Sequence, residues 1–177
     1  VVIVQTTSPP QDQRLIQLLL MADNALELKA RSITAVVPYF AYSRQDKRFL
    51  RGEAFSIKTI VKLLENCGVN KIITLNAHNP KVLKTFNIPV EDLSAIPLLA
   101  AYFKAKGLVK NPVSLSLGKK ALSVATEADG VLKGGFDYVS TRRDVVTGSV
   151  TLEEKELQVK NRDVIIFDDI ISSGGTM

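Results

Sequence analysis

A chain of 177 residues with 46% hydrophobic content can bury a real core, which excludes a disordered segment and a disulfide-stapled miniature. Its single cysteine, Cys67, excludes an internal disulfide and a Cys-rich zinc site and fits a reducing compartment, so a cytoplasmic setting is expected. The formal net charge of +5 suits anionic ligands without pointing to nucleic acid, and no run approaches the ~18 apolar residues of a membrane span.

Taken in chain order, short β-rich runs alternate with amphipathic segments. VVIVQT (1–6) reads as a buried strand entered midway, and TSPPQD turns into a helix over 11–29, where Leu15, Leu18, Leu19 and Ala22 recur at helical spacing. A strand is predicted over 32–38, then a polar loop to about 54, then a helix in FSIKTIVKLLENCG stopped by Gly68. NKIITL (70–75) is the third strand, with a short helix over 80–86 after it. A second cycle is expected after Ile88-Pro89: helix 95–106, strand 112–117, helix 118–132 and strand 136–140. A charged, hairpin-like excursion spans 141–160, and a last strand covers 163–169. Strands separated by helices imply parallel βαβ units, here in two lobes, 1–89 and 90–177. Ligands in such sheets bind beyond the carboxyl ends of strands, which places function just after 38, 75, 117, 140 and 167. Met177 falls inside what reads as a loop leading into a helix, so the chain is expected to be a fragment with both ends missing.

The last strand carries the strongest chemical signal. DVIIFDDIISSGGTM delivers Asp168 and Asp169 to the sheet edge, where two carboxylates can accept hydrogen bonds from adjacent ribose hydroxyls. Ser172, Ser173, Gly174, Gly175 and Thr176 then offer small side chains and backbone N–H groups able to wrap a phosphate at a helix N-terminus. This ordered string resembles the phosphoribosyl-diphosphate motif shared by type I phosphoribosyltransferases and ribose-phosphate pyrophosphokinases. Upstream, PYFAYSRQDKRF (38–49) comes after a strand and is too polar for a core. Arg44 and Lys47 can meet a polyphosphate, and Gln45 and Asp46 can pair with a base or orient neighbours. That segment resembles the ATP-binding stretch of the pyrophosphokinases, and GEAFSIKTIVKLLENCGVNKIITLNAHNP (52–80) is similar to the next stretch of that family.

The resemblance implies an α/β fold of two related type I phosphoribosyltransferase-like lobes with mainly parallel sheets. The first would be the ATP-side lobe and the second the ribose-5-phosphate-side lobe. It implies transfer of the diphosphoryl group of MgATP to the anomeric hydroxyl of ribose 5-phosphate, giving phosphoribosyl diphosphate and AMP for nucleotide biosynthesis. By carry-over, Arg44, Gln45, Asp46 and His78 serve ATP, and His78 also sits by Mg2+. Asp168, Asp169, Ser172, Ser173, Gly174, Gly175 and Thr176 hold ribose 5-phosphate, and Arg143 with Arg142 stabilises the transferring group. A homo-oligomer is implied, with a neighbouring chain completing the ATP site; neither nucleic acid nor a membrane is an expected partner.

Three positions depart from the family pattern. Asn76 stands where an acid usually precedes the histidine by two residues, Thr141 stands where the catalytic loop carries a lysine, and Gly118 replaces an aspartate that binds magnesium. Magnesium demands hard oxygen ligands, so its binding must be weaker here or lean on ATP oxygens, water and other residues. These losses support an alternative, a non-catalytic regulatory homologue. A phosphoribosyltransferase that consumes phosphoribosyl diphosphate is the third reading.

Overall fold

In the computed structural model, residues 1–48, 50–143, 150–152 and 155–171 are described; side chains at 120, 141–143 and 150–152 lie outside that description. The chain divides into two units, Val1–Ser94 and Ala95–Met177.

The first unit is a four-stranded parallel sheet, β1 (Val2–Val4), β2 (Thr34–Val37), β3 (Lys71–Leu75) and β4 (Val90–Leu93), whose spatial order is that of the chain. Between the strands run α1 (Gln11–Glu27) and α2 (Ser56–Asn66), and a 3-10 turn covers Pro80–Thr85. Helix α1 buries Leu15, Leu18, Ala22 and Ala25, and α2 buries Ile57, Val61 and Leu64. Steps of three and four put each set on one stripe, and the stripes close over Ala35, Val37 and Ile72 of the sheet. Helix α2 stops near the predicted point, where the Val69 N–H returns to the Leu64 carbonyl at 3.1 Å.

Two expectations change here. The opening run is an edge strand with only Ile3 buried, because among the described residues β1 pairs with β2 alone and Val2 and Val4 face outward. Strand β4 was not foreseen, and it extends the first unit to Ser94, five residues beyond the division expected after Pro89. VEDL lacks the apolar alternation of a half-buried strand. The ladder holds it at the edge, with Ile72 opposite Val90 and Ile73 opposite Glu91, and the exposed Lys71–Glu91 pair at 2.9 Å adds little.

The second unit centres on β5 (Pro112–Leu117), flanked in parallel by β6 (Phe136–Val139) and β9 (Asp163–Phe167). Helices α3 (Ile96–Ala105) and α4 (Leu122–Leu132) pack with it through Ile96, Ala100, Ala128 and Leu132 against Ile165 and Phe167. The excursion after β6 contains an antiparallel pair, β7 (Thr141–Arg143) with β8 (Val150–Leu152). Helix α4 starts at Leu122 rather than 118, because Gly118 takes φ 99° and ψ 151° and Lys119–Ala121 forms a 3-10 turn. No described helix is long and apolar enough to cross a membrane.

Candidate functional site

Parallel strands present their carboxyl ends on one edge of each sheet, and the candidate residues sit there. In the first unit the loop after β2 is shaped by its backbone and then held from outside. The Ser43 N–H reaches the Phe40 carbonyl at 3.2 Å, and the Gln45 N–H reaches the Tyr42 carbonyl at 2.9 Å. Tyr42 has φ +65°, an unfavourable region for a bulky residue unless its surroundings fix it. They do so: the Tyr42 hydroxyl donates to Asp12 of α1. That hydrogen bond, with burial and the negative charge of Asp12 adding to it, raises the Tyr42 pKa above its ordinary value. Tyr42 also borders a cleft of about 360 Å³ whose lining includes Leu15, Leu19, Ile60 and Leu63.

The underside of the loop is held by Thr7, which is fully buried after β1. Its hydroxyl donates to the Tyr39 carbonyl and accepts from the Ala41 N–H at 2.9 Å. Arg44 is exposed at the loop surface. Gln45 accepts through Oε1 from the Ser56 hydroxyl, which leaves its amide nitrogen available in direction to another acceptor. Asp46 accepts through Oδ2 from Asn79 Nδ2.

The loop after β3 starts at Asn76, whose φ of 45° turns the chain out of the strand. Its N–H reaches the Leu93 carbonyl at 2.9 Å and its side chain donates to Ser94 Oγ at 3.2 Å, while the Ala77 N–H reaches Asp92 Oδ1 at 3.1 Å. The amide at 76, where an acid was the expected residue type, thus bonds to the end of β4. His78 comes next on the exposed side. The hydrogen bond between Asn79 and Asp46 brings the loops after β2 and β3 together, so Arg44, Gln45, Asp46 and His78 lie on one edge of one unit.

In the second unit, β5 and β9 run in parallel with Ser116 opposite Phe167, so Gly118 and Asp168 emerge at neighbouring strand ends. Asp168 and Asp169 are half-buried, and the Asp169 N–H bonds Asp168 Oδ1 at 2.9 Å. The Gly118 N–H continues the ladder to the Val139 carbonyl at 3.0 Å, and the Ser116 hydroxyl lies 3.3 Å from the Gly118 carbonyl oxygen. Arg142 and Arg143 lie on β7, directly after β6; their side chains, and Ser172, Ser173, Gly174, Gly175 and Thr176, lie outside the described residues. On the far side of the hairpin, Lys155 pairs with Asp137 of β6, donates to the Tyr138 carbonyl at 3.1 Å, and sits 3.5 Å from the centroid of the Tyr138 ring.

Against this geometry, residues 1–68 match the N-terminal domain of ribose phosphate pyrophosphokinase. The ribose-phosphate pyrophosphokinase of Saccharolobus solfataricus is 40% identical over 178 aligned residues, covering 100% of this chain and 60% of the relative. That of Methanothermobacter thermautotrophicus is 38% identical over 177 residues, again across the whole chain and 61% of the relative. The chain is a relative of the ribose-phosphate pyrophosphokinases. A solved phosphoribosylpyrophosphate synthetase from Mycobacterium smegmatis overlays with a TM-score of 0.82 at 27% identity, covering 99% of this chain and 56% of that one. The two-lobed α/β fold with parallel sheets is therefore the pyrophosphokinase fold, and the chain spans about 60% of the length of the curated pyrophosphokinases it matches.

Among the described residues, no group of three His, Cys, Asp or Glu could hold a metal ion. Magnesium needs no such group, because it keeps several waters and often rides on substrate phosphates with one or two carboxylates from the protein. The pyrophosphokinase resemblance pointed to Arg44, Gln45, Asp46 and His78, but Thr7, Asp12, Ser56 and Asn79 were missed. Only Asn79 left a trace in the sequence: Asn-Pro before a helical run is a capping signal.

Proposed function

We propose that this protein transfers the diphosphoryl group of MgATP to the anomeric hydroxyl of ribose 5-phosphate, forming phosphoribosyl diphosphate and AMP. The observation that carries this reading is identity of up to 40% with ribose-phosphate pyrophosphokinases along the entire chain. The segment Arg44-Gln45-Asp46 and His78 support it by sharing one sheet edge. Arg44 and His78 lie exposed to receive phosphates, with Gln45 and Asp46 oriented beside them.

In the second unit, Asp168 and Asp169 accept hydrogen bonds from the ribose hydroxyls, and 172–176 supply N–H groups for the 5-phosphate. Arg142 and Arg143 stabilise charge on the transferring group from the hairpin. Alignment and charge neutralisation carry such a reaction, with little covalent work for the protein. Magnesium, when bound, supplies a Lewis acid for the phosphate oxygens. His78 is its candidate protein ligand, with Asp168 and Asp169 facing the ribose. A cytoplasmic homo-oligomer, with a neighbouring chain completing the ATP site, fits the same reading.

Incubation with MgATP and ribose 5-phosphate tests it, with AMP release monitored by chromatography and binding of each ligand by calorimetry. AMP formation that depends on ribose 5-phosphate is the expected result. Binding of both ligands without AMP overturns the catalytic reading in favour of a regulatory homologue, and binding of neither overturns the substrate assignment.

A further inference from the structure

Asn79 is half-buried between His78 and Pro80, and the two ends of its amide have separate partners. Oδ1 accepts from the Lys81 N–H at 3.1 Å and so caps the 3-10 turn. That bond fixes which end is oxygen, so Nδ2 is the end presented to Asp46, 33 residues away in sequence. An ionised carboxylate only accepts, and among the described hydrogen-bond partners of Asp46, Asn79 supplies the donor.

We infer that Asn79 is a positioning residue for the nucleotide. Its amide ties the Asp46 carboxylate to the loop carrying His78, so both loops meet an ATP phosphate chain as one body. The inference rests on the nucleotide reading above. It assigns to Asn79 no contact with the ligand and no part in the chemistry.

The cap and the tie can be separated. Asn79→Asp keeps the cap, because aspartate ranks with asparagine there, but sets a second carboxylate against Asp46. MgATP binding to the 177-residue chain is measured by calorimetry at pH 7.5, each variant affinity being divided by the wild-type value. Hydrogen exchange over 39–46 is measured without nucleotide. At pH 7.5 the affinity is expected to fall roughly ten- to hundredfold, the scale of a lost hydrogen bond to a charged group. Exchange over 39–46 quickens in Asn79→Asp and slows again when Asp46→Asn is added, which restores an amide–carboxylate pair in reverse. Wild-type exchange rates in Asn79→Asp overturn the tie. An affinity loss in which exchange quickens throughout 1–94 rather than over 39–46 assigns Asn79 a structural role and overturns the positioning. A wild-type chain that binds no MgATP overturns the nucleotide reading and this inference with it, while wild-type binding matched by Asn79→Asp overturns this inference alone.

Discussion

The strand ends of the two units are shaped by different means. In the first, side chains reach across long stretches of sequence: Asp12 to Tyr42 over 30 residues, Thr7 to Ala41 over 34 and Asn79 to Asp46 over 33. In the second, long-range side-chain bonds gather at the amino ends, where Asp163 accepts from the Lys110 and Asn111 N–H groups, whereas the described bonds after β5 and β9 are backbone ladder and near neighbours, as at Gly118 with Val139, Ser116 with Gly118, and Asp169 with Asp168. At the carboxyl ends, loop geometry is thus stored as tertiary tethers after β2 and β3 of the first unit and as turn conformation after β5 and β9 of the second. Substitutions should damage each unit through its own means of storage.

The largest expected effect is Gly134→Ala. An added Cβ would lie 1.9 Å from the Pro112 carbonyl oxygen, a backbone atom that cannot rotate away. A loss of about 3 kcal/mol is expected from such overpacking, read from the urea midpoint. Faster hydrogen exchange should be confined to β5 and β6; spreading into 1–94 would break the contrast. Next is Gly118→Asp, which returns the expected acid but places a side chain on φ 99° and ψ 151°. That backbone is nearly exclusive to glycine, so a destabilisation of about 2 kcal/mol should accompany any gain in magnesium affinity. A variant as stable as wild type shows that the turn is not fixed by its backbone.

Thr7→Val tests the first unit. It is nearly isosteric but leaves the buried Ala41 N–H without its acceptor, costing about 1.5 kcal/mol, with Thr7→Ser recovering most of it. Amide exchange at Ala41 should report the loss directly. The smallest effect concerns Asp137, a side-chain tether in the second unit. Burial pushes its pKa up, but hydrogen bonds from Lys155 and the Tyr138 N–H outweigh this and hold it below its ordinary 3.8. Its contribution is therefore present above pH 3.8 and is lost as pH falls through the lower folded value. Asp137→Asn should lower stability slightly and equally at every pH above 3.8 and converge on wild type in stronger acid, so that the acid limb of the stability–pH curve flattens.

Legibility in the sequence divides along the same line. Helices α1 and α2 could be read because Leu15, Leu18 and Ala22, and Ile57, Val61 and Leu64, carry the period themselves. The parallel strands of the interior could be read from their apolar runs. Strand β4 could not, since Glu91 and Asp92 report an edge position rather than burial. At the site, a resemblance located Arg44, Gln45, Asp46 and His78, but nothing local marks Thr7 or Ser56 as holding them. Their roles exist only once the chain has brought distant positions together. Gly118 was read as a missing oxygen ligand, and its dihedrals add that the backbone of the turn there favours glycine.

That turn bears on how this position can change over generations. If glycine had only deleted a carboxylate, one codon change would reverse it. Because the backbone has settled where a Cβ is penalised, an acid arriving first meets strain, and a turn relaxing first has no acid to present. An acid at position 118 is therefore accommodated only together with a change of the turn that carries it.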